Sequence, residues 1–332
     1  MAIPVLACGF LLAWGVPVEG AEILPSSGGV DVALQQADSD TTERTDRELR
    51  NLRAGTPNDA WTSSYEPLPA EPTVIRDATV MTAAGEELEA TDVLLRDGRI
   101  EAVGSDLEVP ARTRELDGSG RYLTPGLIDA HSHIGVSATP EVGPHYDNNE
   151  VGTTTPEVWI HHSIWPQGPG FGRALAGGTT TAMLLPGSGD LIEGRGATVK
   201  MVPARTPQGM LFPDAPDGLK VACGENPKGG GFPSTRMGNV AGYRNAFIQA
   251  QGYRERWDAW LDDPEGEPPD RDLGMETLAQ ALRGEILVHV HCYRADDIAA
   301  ILELAREFDF DVRSIHHGVE AYKVRDLLAE HG

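Results

Sequence analysis

Short apolar runs alternate with helical stretches along residues 123–332, and that alternation constrains the fold of this chain more than any other feature. The runs "TTTAMLLPG" (179–187), "ATVKMV" (197–202), "GLKVACG" (218–224), "EILVHVH" (285–291) and "DVRSIHH" (311–317) follow an opening strand in "PGLIDAHSHIG" (125–135). Between the last two runs lies "ADDIAAILELAREF". There Ile298, Ile301, Leu302, Ala305 and Phe308 share one helical face, and Asp296 and Asp297 suit the first turn. Strands separated by helices predict a parallel sheet with crossover connections, here of six strands.

The residues ahead of this unit have a different texture. Residues 68–122 are a string of β-branched runs split by turn signals, and the Asp-Gly of "RDGR" marks a tight hairpin. They read as a small antiparallel sheet leading directly into the first histidine strand. Residues 21–67 are polar and acidic without sustained periodicity and read as a flexible linker. Residues 1–20 carry an apolar stretch from Ile3 to Val16, shorter than the about 20 residues of a membrane span. With Val18 and Gly20 as small residues before a cut ahead of Ala21, they read as a signal peptide, and the protein is expected to be secreted or periplasmic. Cys223 and Cys292, in apolar strands, read as buried thiols rather than a disulfide framework.

The histidines gather at strand ends. His131 and His133 alternate onto one face of the first strand, His289 and His291 onto one face of the fifth, and His317 ends the sixth. The C-terminal ends of parallel strands are where loops from several units converge. One histidine there is an ordinary core residue, but imidazoles sent from three strands to one rim form a metal-ligand pattern. In strand five His291 sits at the end and His289 one layer deeper, so His291 is the better ligand. In strand six alternation places His316 on the side opposite His317. In strand four Lys220 shares the inward face with Ala222, while Leu219 and Val221 face the helices; Lys200 is its competitor. His145, His161 and His162 lie in a long insert after strand one and read as solvated loop residues.

Charge and motif narrow the partners. With 51 acidic against 27 basic residues the net charge is -24, a field that repels phosphate backbones and excludes nucleic acid as a partner. "KGGGFPSTRMG" lacks the Gly-Lys-Ser/Thr end of a phosphate loop, which excludes nucleotide binding there, while Arg236 is within reach of an anionic substrate group. No stable membrane span is expected, and assembly into an oligomer is compatible with the sequence.

Taken in order, "YLTPGLIDAHSHIG", "LAGGTTTAMLLPGS", "GLKVACGENPK", "VHVHCYRADDI" and "IHHGVEAYK" resemble the amidohydrolase superfamily, specifically its imidazolonepropionase-related branch, over residues 70 to 332. The resemblance implies an α/β fold: a (β/α)8 TIM-type barrel with a small β-sandwich built from both ends of the chain. It implies one or two divalent metal ions, commonly zinc. His131 and His133 would bind the more buried ion, and His291 and His317 the second. His317 with Gly318 fits the family's His-Gly element, and Lys220, on the fourth strand, would bridge the ions as a carbamylated lysine. The implied activity is hydrolysis of a non-standard or cyclic C–N (amide) bond in a small amide or dipeptide-like substrate, through a metal-activated hydroxide. The family's strand-eight aspartate has no counterpart here, because the chain reaches "DLLAEHG" in the helix after strand six. The sequence therefore reads as an incomplete barrel of about six strands, C-terminally truncated, and no catalytic residue is assigned. The alternative reading is a non-catalytic metal-binding fragment of such an enzyme.

Overall fold

The computed structural model describes residues 5–8, 62–137, 140, 143–263 and 267–332. Apart from Val5–Cys8, the expected signal peptide, and with it most of the expected linker, falls outside the described residues.

The N-terminal sheet is built from β1 (Val5–Cys8), β2 (Thr73–Met81), β3 (Glu87–Arg96), β4 (Arg99–Gly104), β5 (Arg114–Asp117) and β6 (Tyr122–Pro125), in the order β1-β6-β2-β3-β4 with β5 beside β2. The β3–β4 hairpin turns at Asp97 and Gly98, both with positive φ, as a two-residue turn between right-twisted strands requires. The expectation of a purely antiparallel unit is corrected: β5 and β6 run parallel to β2, because the connection from β4 to β5 returns the chain to the start of β2 and β6 continues β5 in the same direction along it. Among the described residues the unit is a single sheet with a small core of Ile75, Ala78, Val80, Val93 and Leu123.

The second sheet holds β7 (Leu127–Ser132), β8 (Thr179–Leu184), β9 (Ile192–Lys200), β10 (Gly218–Ala222), β11 (Leu287–Cys292) and β12 (Val312–His317), paired in sequence order. Helix α1 (Pro169–Ala176) links β7 to β8, α2 (Arg236–Asp262) and α3 (Leu273–Leu282) link β10 to β11, α4 (Ala295–Phe308) links β11 to β12, and α5 (Arg325–His331) follows. These six strands are the six read from the sequence, but β9 runs antiparallel to both neighbours. No helix lies between β8 and β9 or between β9 and β10, only a single 3-10 turn at Pro207–Gly209, and the seven-residue link from Leu184 to Ile192 is too short for a parallel crossover. The fold is thus α/β with a nearly closed, barrel-like sheet.

Gly126 joins the two sheets under steric compulsion. A Cβ there would lie 2.1 Å from Thr180 Oγ1, so only glycine lets the chain pass β8 and deliver β7 to its edge. Outside β9–β12, α2–α4 bury the largest apolar cluster, which includes Leu219, Val221, Tyr243, Phe247, Val288, Val290, Ile298, Ile301 and Phe308. Among the described residues no helix is long and apolar enough to cross a membrane.

Candidate functional site

The inner rim of the second sheet collects imidazoles from both of its edges. His131 of β7 has its ring 4.5 Å from His316 and 5.0 Å from His317 of β12, although these strands stand at opposite ends of the sheet order. His131 Nε2 is 3.3 Å from His133 Nε2, and His133 Nδ1 meets the Leu185 carbonyl at 2.8 Å. The His291 ring is 4.4 Å from His317. Sheet register explains the array. Lys220 pairs with His289 and Ala222 with His291 across β10–β11, and partners on adjacent strands share a face.

His316 points inward as well, contrary to simple alternation. The β11–β12 register shifts between Val288 and His289, which puts His316 on the same rung as His291. One extra residue in β12 reverses the faces of everything after it. His317 would then point outward, but its left-handed backbone, φ 67, turns the ring back to His291 and His131. His289 is also in the array, with Nδ1 2.8 Å from Ser314 Oγ and 3.2 Å from His316 Nε2.

Lys220 is fully buried and donates from Nζ to the carbonyls of Pro186 and Gly187, each at 2.8 Å. Lys200, its competitor in the sequence, is instead held between the rings of Tyr65 and Phe212 at 4.7 and 4.8 Å, away from the histidines. Beside Lys220 stands a residue the sequence reading passed over. Glu193 of β9 is 0% exposed, accepts from the Asp190 backbone N–H, and accepts from Asn149 Nδ2 at 2.9 Å. Its signal in the sequence is a lone carboxylate in the strand "LIEGRG", where no apolar face accounts for it.

Electrostatics keep the rim imidazoles uncharged near neutral pH. Burial, then the Lys220 charge, holds His131 down to about 3. Burial and His289 hold His316 to about 3; burial and Arg313 hold His289, and burial and His317 hold His291, each to about 4. His133 and His317 are lowered mainly by burial. Burial lowers Lys220 to about 8 against the opposing pull of Glu193, and raises Glu193 to about 7. Neutral imidazoles and a partly neutral amine are the protonation states that donate lone pairs.

The donor set suits a borderline metal such as zinc, and three ring nitrogens support that fit: His131 Nδ1 and both nitrogens of His291 are buried without a hydrogen-bond partner. The rings stand edge to face, and no group of three or more His, Cys, Asp or Glu side chains among the described residues is set to hold an ion in this arrangement.

Three expectations outside the rim are corrected. Cys223 and Cys292 are not free thiols but form a disulfide, Cα–Cα 5.2 Å, because Cys223 directly follows β10 and Cys292 ends the adjacent strand β11. Arg236 is taken by Asp297 at 2.7 Å and Glu225 at 2.7 Å, which leaves it committed to carboxylates of its own chain. His161 is buried, not solvated, with Nε2 3.3 Å from Asp217; the side chain of His145 lies outside the described residues.

A solved amidohydrolase structure from Thermotoga maritima MSB8 superposes with a TM-score of 0.72 at 35% identity, covering 78% of this chain and 67% of that one. The chain is a member of the amidohydrolase superfamily. Amidohydrolase tasK of Hapsidospora irregularis is 33% identical over 301 residues, 78% of this chain, yet this amidohydrolase chain spans only 30% of its length. The imidazolonepropionase of Klebsiella pneumoniae is 49% identical over 47 residues, 14% of this chain and 11% of its own. No family model matches the chain.

Proposed function

We propose that this chain carries the metal-binding half-site of an amidohydrolase of the imidazolonepropionase-related branch, acting on a C–N bond in a small, non-standard or cyclic amide or a dipeptide-like molecule. The observation that carries the reading is the ring of neutral imidazoles drawn from both edge strands around a buried lysine. In this reading one or two divalent ions, zinc by the donor set, would be held by His131 and His133 and by His291 and His317, with Lys220 as a further ligand. Bound divalent ions supply acidity to a water and polarise an amide carbonyl.

The protein's own residues do the rest. Burial leaves a fraction of Lys220 as free amine, whose lone pair attacks carbon dioxide; the new N–C bond forms, one C=O π bond opens, one proton leaves, and a carbamate results whose single negative charge is shared by two oxygens. The Leu185 carbonyl meets His133 Nδ1, which fixes the ring and presents Nε2. His316 and His289, with Ser314, back the first set of rings and limit their rotation. The Cys223–Cys292 disulfide supports a secreted or periplasmic location, since such bonds persist in oxidising compartments.

The test is zinc content after equilibrium dialysis of the 332-residue chain beside a His131→Ala/His133→Ala double variant. About one or two equivalents, reduced in the variant, is the expected result. Equal zinc in both proteins, or none in either, overturns the assignment.

A further inference from the structure

A cavity of about 300 Å³ opens beside the histidine rim, formed by the insert after β7 and closed below by Pro186 and Glu193. It shares structure with the rim. Residues 185–187 supply its Pro186 wall, and their carbonyls also hold His133 Nδ1 and Lys220 Nζ. Loops after barrel strands are where substrate groups are recognised.

The hydrogen bonds inside it run in one direction. Asn149 Nδ2 donates to Glu193 Oε2 at 2.9 Å, which fixes Asn149 Oδ1 as an acceptor, and Asn148 Nδ2 fills it at 3.1 Å. The relay therefore ends on Asn148 Oδ1, a buried acceptor with no partner, on a side chain only 9% exposed. An orphaned buried acceptor is costly and asks for a donor. Gly187 preserves the relay, since a Cβ there would lie 2.0 Å from Asn149 Oδ1. Asp147 and Glu150 add negative charge, Glu193, raised to about 7 by burial, adds part of one, and no Lys, Arg or His is among the described lining residues. Trp159 and Tyr146 supply flat apolar surface.

We infer that this cavity is the side-group pocket of the substrate, that Asn148 is its selecting residue, and that the group it takes is a positively charged N–H donor, an amine or guanidinium, joined to a short apolar stem. The inference rests on the rim being the reaction site, and it deepens that reading by naming the substrate class.

Three probes with short unbranched stems decide it on the full chain: butylguanidinium, butyramide and butyrate, with dissociation constants from ligand-observed NMR. The expected order is butylguanidinium tightest and butyrate weakest, separated by about tenfold or more, the ordinary worth of one hydrogen bond to a charged group. Asn148→Leu weakens butylguanidinium by about tenfold and leaves butyrate unchanged. Butyrate binding as tightly as butylguanidinium overturns the inference, as does an Asn148→Leu protein that keeps the wild-type preference. If that variant does not fold, the three wild-type constants still decide. Zinc uptake on the same samples separates the two proposals: a cation-selective pocket without zinc uptake sinks the metal reading alone, and zinc uptake without probe preference sinks the pocket alone.

Discussion

Strands β10 and β11 have two buried faces with opposite chemistry. Outward, Leu219, Val221, Val288 and Val290 meet α2–α4 in an ordinary apolar core. Inward, Lys220, His289 and His291 are as thoroughly buried but polar. The outer face is held by area removed from water, and each side chain there stabilises in proportion to its size. The inner face is held in place by the outer one and stays soluble in the protein only by shedding charge. Depth alone therefore does not mark a core; what differs is whether burial is the favourable term or the one being tolerated.

The largest expected effect is on the outer side. Phe247, 1% exposed and stacked on Phe310 at 4.8 Å between centroids, should lose about 3–5 kcal/mol on Phe247→Ala, read from urea denaturation. A loss below 1 kcal/mol would mean this face does not carry the fold. On the inner side, Lys220→Met should cost about 1–3 kcal/mol, because the Pro186 and Gly187 carbonyls lose their donor. An unchanged or higher denaturation midpoint would break that claim.

The two faces should also answer differently to pH. His131, His289, His291 and His316 titrate in the folded protein near 3 to 4, below the 6.5 of the unfolded chain. Between those values the unfolded chain binds more protons, so stability is fully present above pH 6.5 and falls as pH drops toward 4. The slope per histidine is at most about 1.4 kcal/mol per pH unit and is smaller where water reaches the ring. Urea midpoints measured from pH 7.5 to 4.5 should show this fall, and a His289→Asn/His316→Asn variant should flatten it; an equal slope in the variant counts against the rim as its source. The smallest effect belongs to the outer surface: Glu307→Gln, breaking an exposed pair with Arg244, should change stability by less than about 1 kcal/mol.

Much of this contrast was legible in the residues. The α4 face of Ile298, Ile301, Leu302, Ala305 and Phe308 is buried as its period requires, and the Asp97–Gly98 hairpin turns where the dipeptide stands. Burial of Lys220 beneath the histidine rim follows from strand alternation, as does the outward course of Leu219 and Val221. The reversal of β9 was not legible as a direction, since an apolar run looks the same both ways and only the short connection from β8 decides. His316 was misplaced because a one-residue bulge leaves no mark in an alternating pattern. Cys223 and Cys292 are 69 residues apart in sequence, and only the adjacency of β10 and β11 shows that they meet. Glu193 and Asn149 escaped notice because their meaning lies in each other, across 44 positions.

The same disulfide has a topological consequence. It closes a covalent ring that contains both α2 and α3 and joins the strand of Lys220 to the strand of His291. A protease that cuts once inside the ring does not divide the molecule. The nicked protein would migrate as one species on a non-reducing gel and as two after reduction, with both pieces still packed around the same rim.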